Sequence, residues 1–418
     1  MKRSIASFAA TLASFIAMSG LLVNPKEVAS QTIPALSVQM PNDVATIVKG
    51  NNAFALDLYS QVREQRGNLS FSPYSISTAL AMTYAGARHE TAAQMAKVLR
   101  FPLAPERLHP AFTKLITDLS TSDRNSYQLA QANRLWGQKN YIFLDTFLSI
   151  TRNDYGAELE KVDFVNATEE ARRTINTWVA KKTQEKIQDL LPNGILNPLT
   201  RLVLTNAIYF NGTWLTPFNP QKTANQPFNI TPTQQIDVPT MHLPATEAVG
   251  MAELDGLKVL EMPYVGSRLS MIILLPDKAD GLSQLEQRLK WENLQKWLSS
   301  VSTSDEPVQV SLPKFKVTGE FELKQPLSQL GMSSAFSNTA DFSGMNGKKD
   351  LFLSAVVHKT FVSVNESGTE AAGATGVVVG LRGGGGKRFQ ANHPFIFLIR
   401  DRKSESILFL GRVMNPLE

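Results

Sequence analysis

The stretch that most constrains this chain is residues 366–382, Glu-Ser-Gly-Thr-Glu-Ala-Ala-Gly-Ala-Thr-Gly-Val-Val-Val-Gly-Leu-Arg. In an extended chain successive side chains point to opposite faces. Thr369, Ala371, Gly373, Thr375 and Val377 then share one face; Glu370, Ala372, Ala374, Gly376 and Val378 share the other. The first face carries no charge and no bulky group. Glycines interrupt the run, and so few large apolar side chains do not hold a strand in a sheet well. A basic, glycine-rich tail, Arg382-Gly-Gly-Gly-Gly-Lys-Arg388, follows. The segment is therefore predicted to serve as an exposed loop and also to fit a sheet as an added strand. The fold of this chain has to accommodate both.

Glu366-x-Gly-Thr-Glu-Ala-Ala-Gly-Ala-Thr375 resembles the hinge of the reactive loop of serpins, the serine-protease inhibitor family. The resemblance extends beyond the loop. Asn68-Leu-Ser-Phe-Ser-Pro-Tyr-Ser-Ile76 is similar to the family's early Ser-Pro-x-Ser-Ile segment, and Thr205-Asn-Ala-Ile-Tyr-Phe-Asn-Gly-Thr-Trp214 with Pro217-Phe218 to its central strand. Leu312-Pro-Lys-Phe315, Leu330–Phe336 with Ala340–Ser343, Val357-His-Lys359 and His393–Phe397 through Gly411–Pro416 recur in family order. Any one fragment is weak, but the ordered set, over residues 45–416, is specific.

The register of the loop then places a reactive bond. In inhibitory serpins the residue supplying the scissile carbonyl usually lies seventeen positions along, counting the hinge glutamate as the first. From Glu366 that residue is Arg382, with Gly383 after the cut. A guanidinium fits the acidic specificity pocket of trypsin-like proteases. The alternative reactive residue is Leu381, which would suit chymotrypsin-like enzymes. Glu366, Gly368, Thr369, Glu370, Ala371, Ala372, Gly373, Ala374 and Thr375 form the expected loop hinge. The resemblance also implies a polar cluster of Ser72, Ser75, Asn206 and His358 where the main sheet must open. At the top of that sheet it implies Trp214, with Lys314 pairing with Glu366.

The implied mechanism is a suicide trap: acylation at Arg382, then insertion of the cleaved loop as a new strand, which drags the protease along. Serpin loop insertion is itself the standing case of strand addition and of released strain. Insertion of ~10 residues at a net ~0.5–1.5 kcal/mol per hydrogen bond supplies on the order of 10 kcal/mol. That is comparable to an ordinary folding stability, so the native form can be held kinetically. Thr369 is expected near the surface before insertion. The partner implied is a serine protease of trypsin-like specificity, bound covalently by a monomeric inhibitor without cofactor. A non-inhibitory serpin, a carrier or chaperone cut without trapping, is the first alternative, and an exported hydrolase the second. The hinge here has neither the charge run nor the prolines expected of the first.

No catalytic motif supports the second. Gly281-Leu-Ser283 lacks the closing glycine of a nucleophile elbow. The tail at 382–388 has Leu381 where a phosphate loop needs its first glycine and Arg388 where it needs Ser or Thr. The five histidines, His89, His109, His242, His358 and His393, are scattered, and there is no cysteine. A zinc site therefore has little support.

The N-terminus reads as an export signal. Lys2-Arg3 precedes the uncharged, apolar run 4–23, and Val28-Ala-Ser30 offers a small-residue cleavage site. Residues 1–30 are thus expected as a signal peptide, 31–42 as a flexible lead and 43–418 as a single domain with its reactive loop at 366–390. A secreted or periplasmic protein without stable membrane association is expected. The chain carries a net charge of +5. No basic helix face stands out, so nucleic acid is not an expected partner.

Helical spacing marks Val44, Ile47, Val48, Phe54, Leu58 and Val62. Ser72-Pro73 opens a second helix, Thr168 is a candidate cap for a third, and Leu282–Trp297 reads as one helix. From residue 201 the pattern turns to strands, among them the nearly all-apolar Leu269–Leu275 ending at Pro276. Helices first and strands later argue for α+β; the resemblance specifies the serpin fold, with three β-sheets, about nine helices and an exposed reactive-centre loop.

Overall fold

The computed structural model describes residues 42–120, 127–303, 306–369 and 386–418. Among them are three sheets and ten α-helices. Residues 1–41, expected as signal peptide and lead, and residues 370–385 of the expected reactive loop lie outside the described residues.

The six-stranded sheet positions the site. Its order is Phe315–Glu322, Ala355–Asn365, Gly368–Thr369, Leu202–Thr213, Tyr127–Gln138 and Glu160–Val162. Leu202–Thr213 is buried along most of its length because both faces are covered. On one face Leu204, Ile208 and Phe210 join the principal core. On the other, Val203 and Ala207 pack with Ala355, Val357, Trp136 and with Ile175 and Val179 of the helix Thr168–Lys182. That helix therefore lies across the strands on either side of the central pairing. Phe315–Glu322, at the sheet edge, alternates strictly between buried and exposed residues, as a strand covered on one face should.

A second, seven-stranded sheet packs against the principal core. Leu269–Pro276 sits within it, buried at every position, between Leu257–Pro263 and Phe395–Asp401. The closing pair Phe395–Asp401 and Ile407–Val413 is antiparallel. The helix Asn42–Val62 buries Val44, Ile47, Val48, Phe54, Leu58 and Val62, the residues its spacing marks.

Two local expectations are corrected. Leu282–Trp297 is two helices, Leu282–Arg288 and Trp291–Ser299. Leu285 and Leu294 are both buried. At 3.6 residues per turn nine residues place them on opposite faces, and the extended Lys290 resets the phase so that both reach the core. Thr168 does not cap its helix. Its hydroxyl donates to the Phe164 carbonyl, and Ala167 occupies the cap position without a side-chain bond.

Candidate functional site

The strands Leu202–Thr213 and Ala355–Asn365 pair directly and in parallel from Val203–Ala355 to Tyr209–Phe361. Beyond Tyr209 they separate, and a third segment stands between them. Gly368–Thr369 pairs antiparallel with Val364 and Asn365 on one side, and with Gly212 and Thr213 on the other. The chain reaches this seat through a tight turn after Asn365, whose side-chain oxygen accepts from the backbone N–H groups of Ser367 and Gly368. Gly368 is required by close approach: a Cβ there would stand 2.0 Å from the Gly212 carbonyl oxygen.

Thr369 is fully buried, which corrects the expectation of a surface position. Its hydroxyl lies 2.6 Å from that of Tyr264, and Tyr264 stacks on Trp214 with ring centroids 4.6 Å apart. Sheet pairing plus one buried hydroxyl partner outweigh the exposure that an isolated loop would prefer. The Trp214 indole N–H donates to the Asn365 carbonyl at 3.1 Å. Backbone bonds from Trp214 N–H to Ser367 and from Phe218 N–H to Glu366 complete the seat.

Glu366 anchors the turn electrostatically. Its carboxylate accepts from Lys314 Nζ at 3.0 Å and from the Thr223 hydroxyl at 2.8 Å. Burial pushes this carboxyl up, but its own backbone N–H, Lys314 and Thr223 together hold it below its ordinary value.

Lower in the same sheet the residues are neutral, and Ser72, Ser75, Asn206 and His358 are fully buried. Asn133, Asn206 and His358 occupy one row across three adjacent strands. The Ser72 backbone N–H donates to His358 Nε2 at 2.9 Å, so the imidazole proton sits on Nδ1, which donates to Asn206 Oδ1. The Asn206 amide in turn donates to the Ser75 hydroxyl at 2.7 Å, to the Ser75 carbonyl and to Asn133. Ser72 also caps the helix Pro73–Tyr84 by accepting from Ser75 N–H, with Pro73 in the first turn. The cluster thus ties that helix to both strands. Phe321 stacks on the imidazole from the edge strand. Burial pushes the His358 imidazole down to about 3.

The structure brings Ser72, Ser75, Asn206 and His358 together, and Trp214, Lys314 and Glu366 with Gly368 and Thr369. Arg382, Gly383, Leu381 and hinge residues Glu370 to Thr375 lie outside the described residues. Three participants escaped the sequence reading. Asn133 lies in the half-polar strand Tyr127–Gln138, and its register opposite Asn206 exists only once the sheet forms. Tyr264 and Thr223 sit in segments that carry no motif.

The family model described as Serpin (serine protease inhibitor) matches residues 49–416. The leukocyte elastase inhibitor of Bos taurus is 45% identical over 373 residues, covering 88% of this chain and 98% of that protein. Serpin B6 of Macaca fascicularis is 41% identical, covering 88% and 99%. The crystal structure of Serpin48 from the insect Tenebrio molitor superposes with a TM-score of 0.80 at 34% identity, covering 88% of this chain and 98% of that one. These relatives correct the expectation of export: leukocyte elastase inhibitors and Serpin B6 are serpins of the intracellular type. The secreted or periplasmic reading rested on Lys2-Arg3, the apolar run at 4–23 and the small residues Val28-Ala-Ser30. Such a run reports affinity for an apolar phase and not the address of the folded protein.

Proposed function

The chain belongs to the serpin family of protease inhibitors, and we propose that it traps a serine protease of trypsin-like specificity at the bond between Arg382 and Gly383. The protease serine attacks the Arg382 carbonyl. The serine ester forms, the bond to the Gly383 nitrogen breaks, and that nitrogen leaves as an amine carrying the transferred proton. The freed loop then enters between Leu202–Thr213 and Ala355–Asn365. The observation that carries this reading is the seat of Gly368–Thr369 between those two strands. Thr369 faces the core there, as the alternation of the hinge requires for entry, and counting from Glu366 supports Arg382.

A second reading has its own support. Relatives carry the name leukocyte elastase inhibitor, and Leu381 precedes Arg382. Cleavage after Leu381 would suit an enzyme with an apolar specificity pocket. Purified protein mixed with trypsin, and separately with chymotrypsin, distinguishes these readings on a denaturing gel. We expect a covalent band with trypsin and a released peptide beginning at Gly383. A peptide beginning at Arg382 transfers the assignment to Leu381. Clipping without a covalent band identifies a substrate, and with it a non-inhibitory serpin.

A further inference from the structure

Seven non-glycine residues among the described ones have left-handed backbones, and three of them fall within 184–189, just after the helix Thr168–Lys182. Gln184, Glu185 and Asp189 have φ of 55°, 60° and 48°. A side chain resists that region, and such residues persist only where the surroundings over-determine them. Here they do. The buried Thr183 hydroxyl donates to the Val179 carbonyl at 2.8 Å and accepts from the Ile187 N–H at 3.3 Å. Asn176 holds Leu191 by both its N–H and its carbonyl. Ile187, Leu190 and Leu191 are buried.

This segment covers the seam that must open. Ile187, Leu190 and Leu191 share one apolar cluster with Val203 and Ala207 of one strand and with Ala355 and Val357 of the other. The two strands belong to different bodies. Leu202–Thr213 is paired along its length with Tyr127–Gln138. The helix is fastened to that body: Trp178 meets Trp136 edge-on at 5.4 Å, and the Arg134 guanidinium lies 4.4 Å from the Trp178 ring centre. Ala355–Asn365 is paired with Phe315–Glu322 instead.

Lys359 reaches across from the second body. Its side chain is 14% exposed and pairs with Glu320 on its own side at 3.0 Å. Its ammonium also donates to the Gln188 carbonyl at 3.1 Å, within the left-handed stretch. In the direct pairing of the two strands Lys359 stands beside Ala207. A strand entering there separates them by a further strand spacing, about 4.8 Å. A hydrogen bond does not survive that displacement.

We propose that residues 183–191 form a strained strap, latched over the seam by Lys359, and that strand entry unlatches it and lets Gln184, Glu185 and Asp189 relax. Lys359 is then a positioning residue: it delays entry while the strands are paired. The relaxing strap adds to the drive once they part. This rests on the loop-insertion reading above and gives it a second source of driving force, outside the loop itself.

Glycine adopts the left-handed region without a side-chain penalty, so it removes the strain and keeps the shape. Guanidinium unfolding midpoints are compared for the intact chain and for the chain clipped within residues 376–382 by papain. In the parent the clipped form should have the higher midpoint. Equal midpoints would mean that no strand enters, and the insertion reading would fall together with the strap. In the triple variant Gln184→Gly, Glu185→Gly, Asp189→Gly the gap between clipped and intact forms should shrink, because only the intact form holds strain to relieve. Moles of inhibitor consumed per mole of trypsin blocked should rise several-fold. Glu405, with φ of 63°, lies outside the strap; Glu405→Gly should move both forms alike and leave the gap unchanged. A parental gap in the triple variant, or one narrowed as much by Glu405→Gly, overturns the strap while leaving insertion intact. Lys359→Met keeps the stem and removes the latch. The intact variant should acquire the clipped form's resistance to denaturant several-fold faster on warming, and conversion at the parental rate overturns the role of Lys359.

Discussion

The two strands that must part are held differently at their two levels. At the top, Glu366, Lys314 and Thr223 form a partly solvated charge cluster beside the stacked Trp214–Tyr264 pair. Lower down, Ser72, Ser75, Asn206 and His358 form a neutral, fully buried network, with half-buried Asn133 at its margin. A solvated ion pair contributes little and yields to salt. A buried network contributes through the penalty for breaking it, since each orphaned group loses its partner without regaining water. The upper level should therefore be easy to open and sensitive to ionic strength, the lower one stiff and sensitive to any missing partner.

The largest effect should come from His358→Ala. It leaves the Ser72 N–H and the Asn206 carbonyl oxygen unpaired and empties space beside Phe321, at a combined cost of about 3–5 kcal/mol. The urea midpoint should fall accordingly, and the uncleaved loop should insert faster on warming. A midpoint within error of the parent would mean that the lower network does not hold the strands.

Thr369→Arg should follow. The seat is only two residues long, so the hinge can withdraw, and the loss is limited to about 2–3 kcal/mol of pairing. Reinsertion would carry a charge into the core, so moles of inhibitor consumed per mole of trypsin blocked should rise several-fold. Glu370→Arg, on the opposite face by alternation, should be much milder. Equal consumption by the two variants would show that side-chain alternation does not govern entry.

Acid separates the levels by pH. His358 is protonated in the unfolded chain below its ordinary value of 6.5 but in the fold only near 3. Its contribution is thus complete above 6.5 and declines as pH falls toward 3. His109 and His393 shift in the same direction. The slope of stability against pH in that window should therefore be shallower, not flat, in His358→Gln. Glu366 is held below its ordinary 4.5, so its contribution is present above that value and fades only as pH falls below it. The smallest effect belongs to Glu366→Gln near neutral pH: below about 1 kcal/mol, and vanishing in high salt, because Lys314 is substantially exposed. A loss that persists in molar salt would relocate the upper hold from charge to packing.

Much of this arrangement is legible in the sequence where one physical signal dominates. Leu269–Pro276 is apolar throughout because both its faces are covered, and Asn42–Val62 repeats its apolar residues at helical spacing. Ser72, Asn206 and His358 were reachable through family resemblance. Asn133 was not, because Gln128, Gln131 and Asn133 make their strand look solvated until Asn206 is paired beside it. Thr369 misled for the complementary reason. A threonine between glycine and glutamate reads as loop, and its partner Tyr264 is 105 residues away in sequence.

The seat of Gly368–Thr369 also changes the kinetics of the trap. Adding a strand normally begins with an unfavourable nucleus: two strands must separate and a loop must close before any bond forms in return. Here the first rungs exist before the protease arrives. What remains is propagation, each new residue exchanging one parallel contact below Tyr209 and Phe361 for pairing on both of its sides. The contest with ester hydrolysis is then run from a started front. Its pace depends on how fast that front travels down the sheet and not on how long it waits to form.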